Sequence, residues 1–246
     1  MDLGLDGAVV LVTGASGAIG RAIARAYAQE GARVAAGWYG NEEPAREAAG
    51  EKGMTVRIDQ SDPASMAAAV REVMRTLGPV AVLVANAVSW PSRAPETWES
   101  LAEGFTVNAV GTLTLVDAVL PGMREAGWGR VVIISSDVVD QPVPAGFVYP
   151  AAKGALETAV NVLALREAPH GILTNVVRPG FTLTERALST PGFGREAVDS
   201  ESAKTPTGRI CTPEDVASAV VYLGSAANGH ANGETLSVAG GRHLVR

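Results

Sequence analysis

The sequence predicts an α/β fold, a doubly wound parallel sheet of about seven strands flanked by helices on both faces. Three observations carry that expectation. Short apolar runs such as Val9-Val10-Leu11-Val12 and Val131-Val132-Ile133-Ile134 alternate along the chain with Ala-rich segments of helical periodicity, the pattern of repeated βα units. The strand runs are continuously apolar rather than alternating, which fits strands covered on both faces and therefore a parallel sheet. The first run leads directly into Thr13-Gly14-Ala15-Ser16-Gly17-Ala18-Ile19-Gly20 and an Ala-rich helix, so small residues stand where backbone must approach a ligand closely.

Strand candidates begin near Ala8, Ala32, Thr55, Val80, Arg130, Leu173 and Thr235. After the first, a pyrophosphate would rest on the free N–H groups at the start of the following helix. Glycine clusters also make ordinary turns, and the placement at the first βα junction is what favours a nucleotide. The second strand runs out through Val34-Ala35-Ala36-Gly37-Trp38-Tyr39-Gly40-Asn41 without a carboxylate. A dinucleotide fold that prefers NAD places an acid there to accept from the ribose hydroxyls, so the missing charge favours NADP(H). No arginine or lysine stands at this strand end to hold a 2′-phosphate, and NAD(H) stays open.

The third strand, through Val56-Arg57-Ile58, leads to Asp59, by itself a turn carboxylate. The fourth exits into Ala85-Asn86-Ala87-Val88, and Asn108 in the next helical stretch reads by itself as a helix-surface amide. The fifth, Arg130 to Ser135, delivers Ser136 to the carboxyl edge of the sheet, where parallel α/β sheets have their ligand crevice. A helix then carries Tyr149 and Lys153, with Pro150 suited to its first turn. The sixth exits through Pro179-Gly180-Phe181-Thr182-Leu183-Thr184. Segment 189–208, with Pro191, Gly192, Gly194, Ser200, Ser202, Pro206 and Gly208 amid charges, breaks the rhythm. It reads as a mobile loop or a lid over about 183–208, with an inert surface insertion as the equal alternative. The seventh strand lies in the tail from Gly233 to Gly241.

The 246 residues carry no Pro/Gly/Ser linker, and one domain over 1–246 is expected. With 47% hydrophobic and 19% charged residues the chain can bury a large core. A net charge of -6 disfavours nucleic acid and anionic membrane as partners. Cys211 is the single cysteine, which excludes an internal disulfide and the spacings of a zinc site. His170, His230 and His243 are scattered without a paired acid, so no metal and no hydrolase triad is expected. The N-terminus lacks the basic start and apolar stretch of a signal peptide, no apolar run approaches membrane-spanning length, and a cytoplasmic protein is expected.

Tyr149 and Lys153 are four residues apart, so one helical turn sets a phenol and an ammonium on one face. A phenol ordinarily ionises near pH 10, too high for proton transfer at neutral pH. A unit positive charge about 4 Å away is worth roughly 4 kcal/mol at an effective dielectric near 20, or about three pKa units. Lys153 is therefore expected to lower Tyr149 into working range. The same spacing arises by chance on many helices, and a serine at a strand end is commonly a turn residue; position at one sheet edge sets these three apart.

Taken in order from about Gly7 to Gly241, these segments resemble the short-chain dehydrogenase/reductase family, with a flavour of its 3-oxoacyl-carrier-protein reductases. The turn from Thr13 to Gly20 is similar to the family's TGxxxGxG, with Ala18 replacing the middle glycine, and Ser136 stands thirteen residues ahead of the YxxxK of Tyr149 and Lys153. By this resemblance Asn108, Ser136, Tyr149 and Lys153 form the catalytic set, Asn108 as the asparagine that kinks a helix and supports a water path to the lysine. The implied cofactor site comprises Gly14, Ser16, Gly17, Ile19, Gly20, Trp38, Asp59, Asn86, Ala87, Tyr149, Lys153, Pro179, Gly180, Thr182 and Thr184. In it Asp59 lies near the adenine, and the Thr184 hydroxyl holds the nicotinamide amide and pyrophosphate together with the backbone of its segment. Val88 replaces a family glycine, and Ala239 stands where an aspartate is common.

The resemblance implies a Rossmann-type seven-stranded sheet and a homotetramer or homodimer built through helices equivalent to about 97–124 and 147–168. It also implies a reductase in which Tyr149 donates a proton to a carbonyl oxygen held by Ser136, while Lys153 grips the cofactor ribose. Pocket walls are expected from Val88 to Pro95, Asp137 to Phe147 and the segment after Phe181, where Trp90, Val143, Phe147 and Phe181 suggest a small, mostly apolar ketone or alcohol. Gly127 and His170 stand where carrier-protein reductases offer basic residues, which favours a free ketone over a carrier-bound one. The alternatives are a 3-oxoacyl-carrier-protein reductase, an alcohol dehydrogenase working oxidatively, and a noncatalytic dinucleotide sensor.

Overall fold

The computed structural model describes residues 2–90, 96–142, 146–189 and 194–245. Its strands are β1 (Val9–Val12), β2 (Arg33–Trp38), β3 (Met54–Arg57), β4 (Val82–Ala85), β5 (Gly129–Ile134), β6 (Ile172–Pro179) and β7 (Thr235–Val238). Each begins within two residues of the position expected from the sequence. They form one sheet in the order β3-β2-β1-β4-β5-β6-β7, parallel at every pairing. The strand order reverses between β1 and β4, which opens a crevice at their carboxyl ends.

The helices are α1 (Ala18–Gln29), α2 (Glu43–Ala49), α3 (Pro63–Thr76), α4 (Trp98–Phe105), α5 (Gly111–Ala126), α6 (Val148–Glu167), α7 (Glu185–Ser189), α8 (Arg195–Lys204) and α9 (Pro213–Leu223). The two-residue period of a strand divides the core between two layers. Val9 and Leu11 of β1 pack with Val73, Leu115 and Leu156 of α3, α5 and α6, whereas Val10 and Val12 pack with Ile23, Tyr27 and Val220 of α1 and α9. Each fully buried aliphatic side chain contributes about 1.5–3 kcal/mol, which is why both faces of the strands read as apolar. Tyr27 crosses between α1 and α9, its hydroxyl donating to the Val220 carbonyl at 3.1 Å.

α4 and α5 are joined by a π-helical turn, Thr106–Val110, so that Trp98–Ala126 is continuous. Gln60 contributes to that turn: its amide donates to the Val107 carbonyl at 2.9 Å and to the Thr112 hydroxyl at 3.2 Å. Gly111 permits the close approach, because a Cβ there would lie 2.1 Å from the Gln60 carbonyl oxygen. By length and composition Trp98–Ala126 is apolar enough to cross a bilayer, which counting apolar runs in the sequence passes over. Half of its most apolar window is buried inside the protein, and the segment packs on α3 and α6 as a core helix does.

The segment expected as a loop or lid instead contains α7 and α8; Pro191 and Gly192 lie outside the described residues. Gly194, Pro206 and Gly208 flank α8 rather than interrupt it. The Thr184 hydroxyl accepts from the Ala187 N–H at 3.1 Å and so caps the first turn of α7.

Candidate active site

The β1–α1 turn is locked to the exit of β4. The Thr13 hydroxyl accepts from the backbone N–H groups of Asn86 at 3.0 Å and Ala87 at 2.9 Å. The Asn86 amide donates in return to the carbonyls of Thr13 at 2.9 Å and Gly14 at 3.2 Å. Gly14 has φ +66°, and a Cβ on it would lie 2.8 Å from the Ala87 Cα. At Gly20 a Cβ would lie 2.3 Å from the Gly14 carbonyl oxygen and 2.5 Å from the Asn86 amide nitrogen. Gly17 is different: a Cβ there would touch only the Gly14 oxygen, at 3.4 Å, so it keeps the approach to the helix open rather than relieving a clash. As the N-cap of α1 it offers no side-chain acceptor, and the first turn, which includes Ile19, carries no acid. Free N–H groups and the positive end of the helix dipole thus face the crevice, a cradle that fits a dinucleotide pyrophosphate. The Ser16 hydroxyl donates to the Asn41 carbonyl and ties this turn to the segment after β2.

At the outer end of the crevice, Trp38 closes β2 and pairs in register with Arg57 of β3. The Arg57 guanidinium lies over the exposed Tyr39 ring, 5.1 Å from its centroid. Arg57 is the cation that the sequence did not place at this strand end, because only strand pairing brings it beside Trp38. Asp59, one residue past the Ile58 that follows β3, accepts from the Ser61 N–H at 2.9 Å and the Ser61 hydroxyl at 2.6 Å. Those bonds hold its carboxyl below the usual range, with smaller help from Arg57 and Tyr39.

β5 and α6 bring Ser136, Tyr149 and Lys153 together. The Ser136 hydroxyl donates to the Asp137 carboxylate at 3.4 Å and lies near enough to the Tyr149 phenol to pull its pKa down. The Tyr149 ring packs on Trp90, centroids 4.8 Å apart and tilted by 36°, and the Arg186 guanidinium of α7 lies 4.5 Å from the centre of the Trp90 ring. Lys153 is buried and donates to the Ile134 carbonyl at 2.7 Å. Burial pushes its ammonium down to about 8, against an upward pull from Glu157. Tyr149 is pushed up to about 12, first by burial and then by Asp137, while Ser136 and Arg186 pull it down. This corrects the expectation that Lys153 lowers the phenol. The Lys153 nitrogen is 5.8 Å from the centre of the Tyr149 ring and is turned to a main-chain oxygen, so burial outweighs it.

Asn108 is fully buried, which corrects its reading as a surface amide. It lies in the π-helical turn, where its Oδ1 accepts from the Ser89 N–H at 2.9 Å and its Nδ2 donates to the Ser89 carbonyl at 2.8 Å. Both backbone groups of one residue are thereby held, and the segment leading to Trp90 is fixed.

Behind the site, Glu157 accepts from the Ser135 hydroxyl at 2.5 Å and from Arg178 at 3.1 and 2.5 Å, and Arg178 also pairs with Asp140. This network ties β5, β6, α6 and the turn after Ser136 together. Pro179 ends β6, and the Gly180 N–H donates to the Val238 carbonyl at 2.9 Å. A Cβ on Gly180 would lie 2.9 Å from the Ala239 Cβ, so the chain turns tightly against β7. The Thr182 hydroxyl donates to the Gly180 carbonyl at 2.8 Å. That of Thr184, expected on a phosphate, accepts from the Ala187 N–H and still has its O–H to donate. Asp137, next to Ser136, is raised by burial. Phe147 is 58% exposed, while Val143 and residues 91–95 of the expected walls lie outside the described residues. Among the described residues no group of three His, Cys, Asp or Glu side chains is placed to hold a metal ion.

Known proteins resemble this chain over nearly its whole length. The family profile described as enoyl-(acyl carrier protein) reductase matches residues 14–243. Acetoacetyl-CoA reductase of Rhizobium meliloti (strain 1021) is 36% identical, covering 96% of this chain and 99% of its own. The 3-oxoacyl-[acyl-carrier-protein] reductase of Vibrio cholerae serotype O1 is 32% identical over 99% of this chain and 100% of its own. Among solved structures, gluconate 5-dehydrogenase from Burkholderia cenocepacia J2315, in complex with NADP and tartrate, superposes with a TM-score of 0.87 at 29% identity, covering 100% of this chain and 98% of the other.

Proposed function

The chain belongs to the short-chain dehydrogenase/reductase family and is an oxidoreductase, and from that premise we propose that it works as an NADP(H)-dependent ketoreductase on a small, mostly apolar ketone. The observation that carries this reading is the proximity of the Ser136 hydroxyl to the Tyr149 phenol, with Lys153 one turn along α6, at the same sheet edge as the open N-terminus of α1. Two neighbouring hydroxyls can each turn their one O–H onto the same oxygen, and a carbonyl becoming an alkoxide supplies that oxygen.

The cofactor would lie along the carboxyl edge, its pyrophosphate on the backbone from Gly14 to Gly20 and its nicotinamide half toward Pro179, Gly180 and Thr182. When bound, it supplies the hydride. Ser136 holds the substrate oxygen, and Tyr149 donates its proton to that oxygen as negative charge develops there. A phenol pushed up to about 12 is fully protonated at neutral pH, and an alkoxide is a stronger base than a phenolate, so the transfer runs downhill. Lys153 keeps one N–H on Ile134 and has two left for the ribose hydroxyls. Trp90 covers one side of the part-buried Tyr149 ring.

The preference for NADP(H) rests on the absence of a carboxylate at the end of β2, and the NADP in the gluconate 5-dehydrogenase structure agrees with it. The acyl reductases among the relatives support 3-oxoacyl thioesters as the second substrate class to test. A homodimer or homotetramer belongs to the same proposal, supported by apolar side chains exposed on α4 and α6.

Replacing Tyr149 with phenylalanine should lower kcat/KM for NADPH-dependent reduction by about 10²- to 10⁴-fold. The panel should contain free ketones, acetoacetyl-CoA and a keto sugar acid. Cofactor affinity, read by NADPH fluorescence, should stay within about twofold because the phenolic oxygen is not a phosphate ligand. Wild-type rates in that variant would remove the proposal, and comparable turnover with NADH would remove the cofactor preference.

A further inference from the structure

A 2′-phosphate carries about two negative charges at neutral pH, and a fold that accepts it at the edge of a parallel sheet needs a cation there as well as the absence of an acid. The end of β2 supplies the absence and no cation. The neighbouring strand supplies the cation. We propose that Arg57, at the carboxyl end of β3, is the residue that binds the adenosine 2′-phosphate of NADP(H). The assignment rests on the NADP(H) reading above and names the side chain that enforces it.

Four observations carry it. First, Arg57 is the register partner of Trp38, the last residue of β2, so its Cα is one strand spacing from the place where an NAD-preferring chain carries its acid. Second, the guanidinium is held rather than loose: it lies over the Tyr39 ring at 5.1 Å, and the Tyr39 hydroxyl is itself engaged with Asp59. A planar cation stacked on a ring keeps its N–H edges free for a bidentate anion, which an arginine offers and a lysine does not. Third, Arg57 is exposed and forms no ion pair among the described residues.

Fourth, the other charges of the region are committed elsewhere. Arg21 of α1 pairs with Glu185 at 3.0 Å, and Arg46 of α2 pairs with Glu42 and Glu43 at 2.8 and 3.0 Å. Asp59 attracts Arg57 from beyond ion-pair distance but is satisfied by Ser61. Glu42, just before α2, is occupied by Arg46 and the Thr55 hydroxyl. A phosphate at this edge therefore meets Arg57 as its uncommitted positive charge.

The test separates this residue from the cofactor reading. Calorimetry with 2′,5′-ADP and with 5′-AMP, which differ only in the 2′-phosphate, reports the subsite without turnover. Wild-type protein should bind 2′,5′-ADP more tightly. In Arg57→Ala that preference should fall by about 10- to 100-fold, the range of a charge-assisted hydrogen-bonded contact, while 5′-AMP affinity changes less than about twofold. Arg57→Lys should recover part of it. Because Arg57 is exposed, the thermal midpoint should stay put in both variants, which separates a binding effect from unfolding. A preference that survives in Arg57→Ala overturns the assignment and leaves NADP(H) intact. A wild-type protein that does not distinguish the two nucleotides overturns both.

Discussion

Lys153 shows how much a single side chain is governed by its surroundings. Burial pushes the ammonium down to about 8, so it is charged at neutral pH and neutral in mild alkali, while Tyr149, pushed up to about 12, keeps its proton across that range. Reductive kcat/KM should therefore be level near neutrality and fall above about pH 8 as Lys153 loses the charge that grips the ribose. Lys153→Arg, whose guanidinium stays charged, should carry the falling limb to higher pH. A profile flat to about pH 10 in the wild type would show that this charge is not needed. The same shift enters stability. The folded protein is penalised where the lysine is charged, fully below about 8, and the penalty disappears as pH rises toward the ordinary lysine range. At this scale the sequence was a good guide to which residues gather and a poor one to their state. Spacing along one helix is local, whereas the packing of Trp90 on Tyr149 and the pairing of Asn108 with Ser89 depend on distant segments.

Among the elements, the turn between β1 and α1 has the least freedom. A methyl at Gly20 would meet the Gly14 carbonyl and the Asn86 amide, both part of the lock between β1 and β4. Gly20→Ala should cost about 1–3 kcal/mol in urea unfolding, the ordinary range for overpacking, and should weaken 2′,5′-ADP binding as the turn shifts. Unchanged stability and affinity would mean that the turn adapts more easily than its contacts indicate. The strands were legible because an apolar run buried on both faces looks the same in every parallel sheet. The region of α7 and α8 was not. Its glycines and prolines signal breaks, and composition alone cannot say whether a break ends a helix or replaces it.

For the whole molecule, the two core layers bury one side of each helix and leave others facing outward. Trp98 of α4 is 80% exposed and Leu165 of α6 83%, on helices that pack against each other. Such a surface fits a second copy of the chain, as the proposed dimer or tetramer requires. Wild-type protein should sediment as an oligomer, and Trp98→Glu with Leu165→Glu should shift it to a smaller species with little change in far-UV dichroism. A monomeric wild type at micromolar concentration would discard the oligomer.

The order of apolar runs, glycine turn and YxxxK spacing determined the sheet, the crevice and the family likeness, since each is written in residues close together in the chain. Tertiary structure decided the rest: that Arg57 stands beside Trp38, that Asn108 clamps Ser89, and that burial sets Tyr149 and Lys153 far from their ordinary acidities. Register and desolvation arise between segments distant in sequence, and no local pattern contains them.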